Sequence, residues 1–347
     1  MPQAQDVDSY LKVMREAVMP FFEAQETIRF LGRGGVSLSA LHIRPDAVRR
    51  TPQSCTLVFV PGRTESYLKY AETFYDLAAY GHEIFAFDHR GQGFSERLLA
   101  DPQIGYVADF DDYLDDFQTF LASVVMERKT LPRSFLVAHS MGAAAVLGFL
   151  ARDEKGRERR HPVATRFLEG LCGVALSAPM LAIRLGFGER LTEAVVAARC
   201  LFGKAKQYAI EPGPLDPARY GNDLTHSIPR MTWYRALLAD RPEIQLGMPS
   251  NQWMLEAIRF CAALRRRLLE HALGWPLMVL TPGRDSVVDI EAQTLIRQSY
   301  RGRLLERISL PEAAHDPFIE TDAVRDIVLA SINQFVSMSE HLSECTT

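Results

Sequence analysis

Residues 136–146 read LVAHSMGAAAV and set Ser140 between an apolar run and a series of small side chains. A hydroxyl becomes a nucleophile only when the chain holds it exposed and another group takes its proton. The stretch Ala138-His139-Ser140-Met141-Gly142 suits a strand–serine–helix turn, which needs small residues two before and two after the serine. Ala138 and Gly142 meet that need, and Ala143, Ala144 and Ala145 let the following helix pack close to a sheet. The start of that helix would aim free N–H groups and a positive dipole end at the reacting centre. A serine that merely caps a helix after a buried strand is the competing reading.

A nucleophilic serine needs a base, and the base needs an orienting carboxylate. Asp285, in LTPGRDSVVD, and His315, in LPEAAHDPF, each follow an apolar run that ends in turn residues, as Ser140 does. In an open α/β sheet such strand ends share one edge. Asp289 is the rival acid, better read as the cap of a helix that starts at Ile290, and His139 is the rival base, better read as structural. Asp316 reads as a turn or cap residue. The negative oxygen of a tetrahedral intermediate would rest on two backbone N–H groups: that of Met141, and that of Arg63 in the Pro61-Gly62-Arg63 loop, where Gly62 permits close approach. An ordinary turn is the alternative for that loop.

Positioning these residues takes a particular succession of elements. Short apolar runs recur at 56–60, 83–88, 134–138, 173–178, 277–281 and 306–310, of a length suited to strands buried on both faces. Helical patterns separate them. The clearest spans 106–128, with Val107, Phe110, Leu114, Phe117, Leu121 and Val124 on one face and aspartates in its first half. This alternation implies an α/β fold with a mostly parallel, doubly wound sheet. TIRFL (27–31) and VSLSALHI (36–43) flank Gly32-Arg33-Gly34-Gly35 and predict an antiparallel hairpin at the sheet edge. The rhythm breaks at 180–272, where helical patterns replace strands and 13 Lys and Arg face 9 Asp and Glu. The expected organisation is a core over 1–179, a helical cap inserted over 180–272, and the rest of the core over 273–347.

The 347 residues are 47% apolar and 24% charged, as expected of a globular chain that needs neither disulfides nor metal to fold. A net charge of −4 leaves no footprint for nucleic acid. Cys55, Cys172, Cys200, Cys261 and Cys345 lack metal-ligand spacing and read as reduced thiols, four of them in apolar surroundings, which favours a cytoplasmic chain. The N-terminus lacks the apolar stretch of a secretory signal, and no run is long enough to span a bilayer. Surface association with a membrane stays open.

The segments AHSMGA, FDHRGQGFSER (87–97), PGRTESYLKY (61–70), GRDSVVD and AAHDPF resemble the α/β-hydrolase family. The nearest group is the serine-aminopeptidase-like hydrolases that include bacterial lysophospholipases and monoglyceride lipases. The resemblance runs from about 27 to 338, and LGMPSNQWMLEA (246–257) looks like the lysophospholipase branch. It implies Ser140 as nucleophile, Asp285 as acid, His315 as base, Arg63 and Met141 as oxyanion donors, and no cofactor or metal. Two departures stand out: Ala138 replaces the usual glycine, and Pro61-Gly62 replaces the His-Gly of monoglyceride lipases, which favours a lysophospholipid over a monoacylglycerol. Arg90, in the DHRGQGFS block, reads as a structural donor. Gly62, with Trp233 and Trp253 of the cap, are candidate substrate contacts, and Arg265, Arg266 and Arg267 read as a solvated helix face, with contact to a phosphate as the other reading. The expected partner is a small lipid ester. General carboxylesterase, aminopeptidase and a catalytically inert binding protein of the same fold are the alternatives.

Overall fold

In the computed structural model, which describes residues 6–152, 162–211, 213–221 and 223–343, the apolar runs pair into one eight-stranded sheet. In chain order the strands are β1 (Glu26–Leu31), β2 (Ser37–Ile43), β3 (Thr56–Val60), β4 (Glu83–Phe87), β5 (Ser134–His139), β6 (Leu171–Ser177), β7 (Leu277–Pro282) and β8 (Leu305–Leu310). Across the sheet they run β1-β2-β4-β3-β5-β6-β7-β8. β1, β2 and β4 pair antiparallel, and every other pairing is parallel. The order therefore reverses between β3 and β5, which opens a crevice at their carboxyl ends. β3, β4 and β5 are buried along their whole length, which accounts for their unbroken apolar sequence.

The helix that follows Ser140, Ser140–Leu150, is buried on every side. Its small residues are a requirement of the packing. A Cβ on Gly142 would lie 2.3 Å from the Pro61 carbonyl oxygen and 2.4 Å from that of Val60, and one on Gly148 would lie 2.6 Å from the Phe260 ring.

The helix expected from 106 begins instead at Asp111 and continues through a π turn to Arg128. Asp109 accepts the Asp111 N–H at 2.9 Å and so defines its start. The preceding residues are drawn aside by a bridge in which the Gly105 N–H bonds Met248 O and the Ser250 N–H bonds Gly105 O. Val107 is fully buried, as the pattern required, but from irregular backbone. The aspartates of this helix pair with arginine as well as with the dipole. Arg90 donates from Nε and Nη2 to Asp116 (2.6 and 2.7 Å), from Nη1 to Asp112 (2.7 Å) and from Nη2 to the Arg33 carbonyl (2.9 Å).

Between β6 and β7 the described residues add no strand to the sheet, and the helices Glu189–Arg199, Ile228–Asp240 and Asn251–Glu270 occupy this stretch. The last of them belongs as much to the core as to any cover, because Trp253, Ala257, Phe260, Cys261, Leu264 and Leu268 pack into the main apolar cluster. Of the four cysteines expected in apolar surroundings, Cys55 and Cys261 are buried. Cys172 and Cys200 are half-buried, one near the start of β6 and one just beyond the helix Glu189–Arg199, and Cys345 lies outside the described residues. No helix among the described residues is long and apolar enough to cross a membrane.

Because Asp116 is fully buried, Arg90→Met strands its carboxylate without a cation. We expect a loss of about 3–5 kcal/mol of unfolding free energy, read from urea denaturation; a change below about 1 kcal/mol would show that the pair adds nothing beyond a surface contact.

Candidate active site

β5 ends in a corner that few side chains tolerate. Ser140 sits at φ +52°, in the left-handed region that costs a non-glycine residue about 1–3 kcal/mol. Its carbonyl accepts the Met180 N–H at 3.2 Å, which ties the corner to the chain leaving β6. Ala138, two residues before, is fully buried. Only 6% of Ser140 is exposed.

The loops after β7 and β8 bring Asp285 and His315 to the same edge. The Ser140 hydroxyl lies 2.9 Å from His315 Nε2, and His315 Nδ1 lies 2.7 Å from Asp285 Oδ2. The other oxygen of Asp285 accepts the N–H groups of Val287 (2.8 Å) and Val288 (3.0 Å). Burial works to raise the Asp285 pKa. The hydrogen bond and charge of His315 and the two backbone donors outweigh it, and the carboxyl is held below its ordinary range. An ionised Asp285 keeps the imidazole proton on Nδ1 and leaves Nε2 free to accept from the serine hydroxyl. Such a relay can deprotonate a serine as it attacks a carbonyl.

The loop after β3 lies alongside. A Cβ on Gly62 would stand 3.1 Å from Ser140 Cβ, so glycine lets this backbone run against the serine. The Gly62 N–H is taken by Glu65 Oε2. Gln92 Nε2 holds the Gly62 carbonyl at 2.7 Å, and His89 Nε2 holds that of Pro61 at 3.0 Å. Burial lowers the His89 pKa to about 4, so this ring is a neutral donor. The Arg63 side chain turns away from the serine, donates to the Gly247 carbonyl at 2.7 Å and lies 4.9 Å over the Trp253 ring. With the Gly62 donor occupied, the Arg63 N–H is the next one along this loop, and Met141 follows Ser140 in the first turn of its helix. The DHRGQGFS block thus holds this loop through His89 and Gln92, while Arg90 is structural, as expected.

Beneath the relay lies a charged cluster that sequence reasoning missed. The Lys69 ammonium contacts Glu65 Oε1 at 2.6 Å and Asp316 Oδ2 at 2.7 Å, with all three side chains almost wholly buried. Tyr70 donates to Glu65 at 2.6 Å. His139 lies beside His315 with ring centroids 4.9 Å apart and the rings tilted, and burial keeps its pKa low. Glu65 holds the Gly62 loop and Asp316 adjoins His315, so one lysine joins the two loops that meet at Ser140. Asp316 does cap a short turn, accepting the Phe318 N–H at 3.1 Å, but its second oxygen belongs to this cluster. Glu65, His139 and Asp316 are close enough to share a cation; the Lys69 ammonium already occupies that role. The available signal was Glu65 and Lys69 spaced four apart in PGRTESYLKY.

A cavity of about 480 Å3 opens next to these loops, bounded by Arg63, Thr64, Tyr220, Leu224, Met248 and Val287. Trp253 is not on its wall. Its indole donates to Tyr113 at 3.1 Å and packs in the core, because the helix that carries it turns that face inward. Trp233 is half-buried against Tyr234 and is likewise off the wall. Asp289 caps the turn at Ile290 through the Glu291 N–H (3.0 Å). Arg265 is committed to Glu189 and the Leu181 carbonyl and does not face the cavity.

Comparison with known proteins bears on the same region. The family model for serine aminopeptidase, S33, matches residues 51–322. Lysophospholipase L2 of Escherichia coli K12 is 32% identical over 289 residues, covering 80% of this chain and 79% of that protein. A soluble variant of monoglyceride lipase from Saccharomyces cerevisiae superposes with a TM-score of 0.69 at 17% identity, over 91% of this chain and 97% of that one. A carboxyl esterase from Bacillus coagulans does so with a TM-score of 0.67 at 18% identity, over 90% and 98%. At these identities the two structures speak for the fold.

The buried cluster makes a prediction about acid stability. Although Asp316 is buried, the charges of Lys69 and His139 depress its pKa below the ordinary 3.8. Its contribution is therefore present above the unfolded-state value and lost as pH falls through the native one. Asp316→Asn should be less stable at neutral pH yet lose less on acidification below about pH 4 than the parent, measured by urea unfolding. Parallel pH profiles would contradict this reading.

Proposed function

The chain belongs to the serine aminopeptidase (S33) family of α/β hydrolases, and we propose that it is a serine hydrolase that cleaves carboxylic esters of single-chain lipids, most closely a lysophospholipase. The observation that carries the proposal is the Ser140 hydroxyl 2.9 Å from His315, at a backbone corner that only a constrained residue occupies. In this reading His315 Nε2 takes the hydroxyl proton as Ser140 attacks the ester carbonyl. The Arg63 and Met141 N–H groups hold the negative oxygen, and Asp285 stabilises the imidazolium. Collapse of the tetrahedral species breaks the ester bond, and His315 returns its proton to the leaving alcohol. Water, deprotonated by His315, then attacks the acyl-enzyme and releases the fatty acid.

The substrate class draws on two supports, the named activity of the Escherichia coli relative and the Pro61-Gly62 sequence in place of His-Gly. We take 180–272 as the cap that closes over the acyl chain, with Gly62 as the backbone nearest the reacting carbon. The described cysteines are free thiols, which suits a cytoplasmic protein working at a membrane surface. One feature favours a second reading. Asp216 and Asp223 line the cavity and can hold a cationic group, either the amine end of a zwitterionic headgroup or the ammonium of an aminoacyl substrate.

A panel of lysophosphatidylcholine, monoacylglycerol, short nitrophenyl esters and aminoacyl amides separates these readings. Single-chain lipid esters should give the highest kcat/KM, and Ser140→Ala should lower kcat by about 10^4-fold or more. Preferred turnover of aminoacyl amides would overturn the ester assignment, and a fully active Ser140→Ala would overturn the mechanism.

A further inference from the structure

The helix Glu189–Arg199 uses only one of its faces to fold. Val196 packs on Met254, Leu255 and Ile258 of the helix Asn251–Glu270. The acids of this helix also turn toward that neighbour, Glu189 paired with Arg265 (2.8 Å) and Glu193 with Arg259 (3.0 Å). Its outer face is apolar and open. Leu191 and Val195 follow Phe187 at four-residue steps, and Leu201 and Phe202 continue the stripe. Phe187, Leu201 and Phe202 are 83%, 88% and 83% exposed. So much bare aromatic and aliphatic surface is uncommon on a protein that stays in water.

The charges around the stripe identify what covers it. Arg184, Arg190 and Lys204 neighbour it in the chain and are exposed, and no acid among the described residues pairs with them. A second copy of the chain docking face to face would oppose these cations to themselves. An anionic lipid surface satisfies both features, since it takes up the apolar side chains and attracts the basic rim. The stripe also adjoins the candidate active site. The Arg184 N–H bonds Val287 O, in the loop of Asp285, and Ala209 N–H bonds Pro249 O as the chain runs on to Gly213 and Leu215 at the cavity wall.

We propose that the outer face of Glu189–Arg199 with Phe187, Leu201 and Phe202 is a docking surface for anionic phospholipid bilayers, set so that the cavity opens beside the membrane from which a lipid substrate leaves. The docking rests on the surface alone; its link to catalysis rests on the lipid-ester reading above.

The test is sedimentation of the full chain with phosphatidylglycerol–phosphatidylcholine vesicles and with phosphatidylcholine vesicles, alongside its mass in solution. The wild type should be monomeric and sediment with the anionic vesicles. Phe187→Ser, Leu201→Ser and Phe202→Ser together should lower the partition coefficient by at least about tenfold. Arg184→Glu, Arg190→Glu and Lys204→Glu together should lower it on the order of a hundredfold. Both variants should keep wild-type turnover of a water-soluble ester, which shows them folded and leaves the hydrolase reading to its own assay. Failure of the wild type to sediment with anionic vesicles, sedimentation unchanged in both variants, or a solution dimer dissolved by the serine substitutions would overturn the proposal.

Discussion

The structure is organised around a close approach at the carboxyl ends of β3 and β5. The first turn of the helix Ser140–Leu150 lies so near the β3 backbone that Gly142 faces the Val60 and Pro61 carbonyls with no space for a methyl group. That contact forces the chain to turn within one residue, which puts Ser140 at φ +52°. A strain of about 1–3 kcal/mol is sustained only where the surroundings over-determine the backbone. Here they do so from three sides: the sheet beneath, the Met180 N–H on the Ser140 carbonyl, and the Pro61–Glu65 loop alongside. The same packing sets the Gly62 backbone against the serine, where a Cβ would stand 3.1 Å from Ser140 Cβ.

Charge buried under the site completes the arrangement. A lysine or aspartate in such surroundings is costly unless fully partnered, and the Lys69, Glu65 and Asp316 cluster is partnered throughout. Its members come from the loop after β3 and the loop after β8, far apart in the chain. Removing one therefore unpairs the others and loosens both loops. Arg90 does the same for the block after β4, binding it to the helix that starts at Asp111. The ion pairs act as joints between loops that must stand in register, and the apolar core supplies the bulk of the stability.

Local patterns account for what was legible in the sequence. Five apolar runs correspond to β3 through β7 because strands buried on both faces have nowhere to place polar residues, the sixth is the part-exposed edge strand β8, and the Gly32–Gly35 turn marked the edge hairpin. The motifs around Ser140, Asp285 and His315 were visible because each follows a strand, and a parallel sheet takes strand ends to one edge. Long-range partnership was hidden. Nothing local to PGRTESYLKY marks Lys69 as buried, because its partner Asp316 arrives from the far end of the chain. Val107 fits a helical period although a bridge to Met248 pulls it out of the helix. Trp253 reads as cap because its segment lies between β6 and β7, while its helix gives that face to the core. Sequence position told which elements intervene and not which face each one buries.

The proposed catalysis rests on the Ser140–His315 contact making this serine nucleophilic. The most direct measurement is peptide mapping by mass spectrometry after brief treatment with a fluorophosphonate, together with the rate of modification in His315→Ala. The expected result is a single adduct, on the peptide that carries Ser140, formed about 10^3-fold or more slowly without the imidazole. Modification at another residue, or an equal rate in His315→Ala, would contradict it.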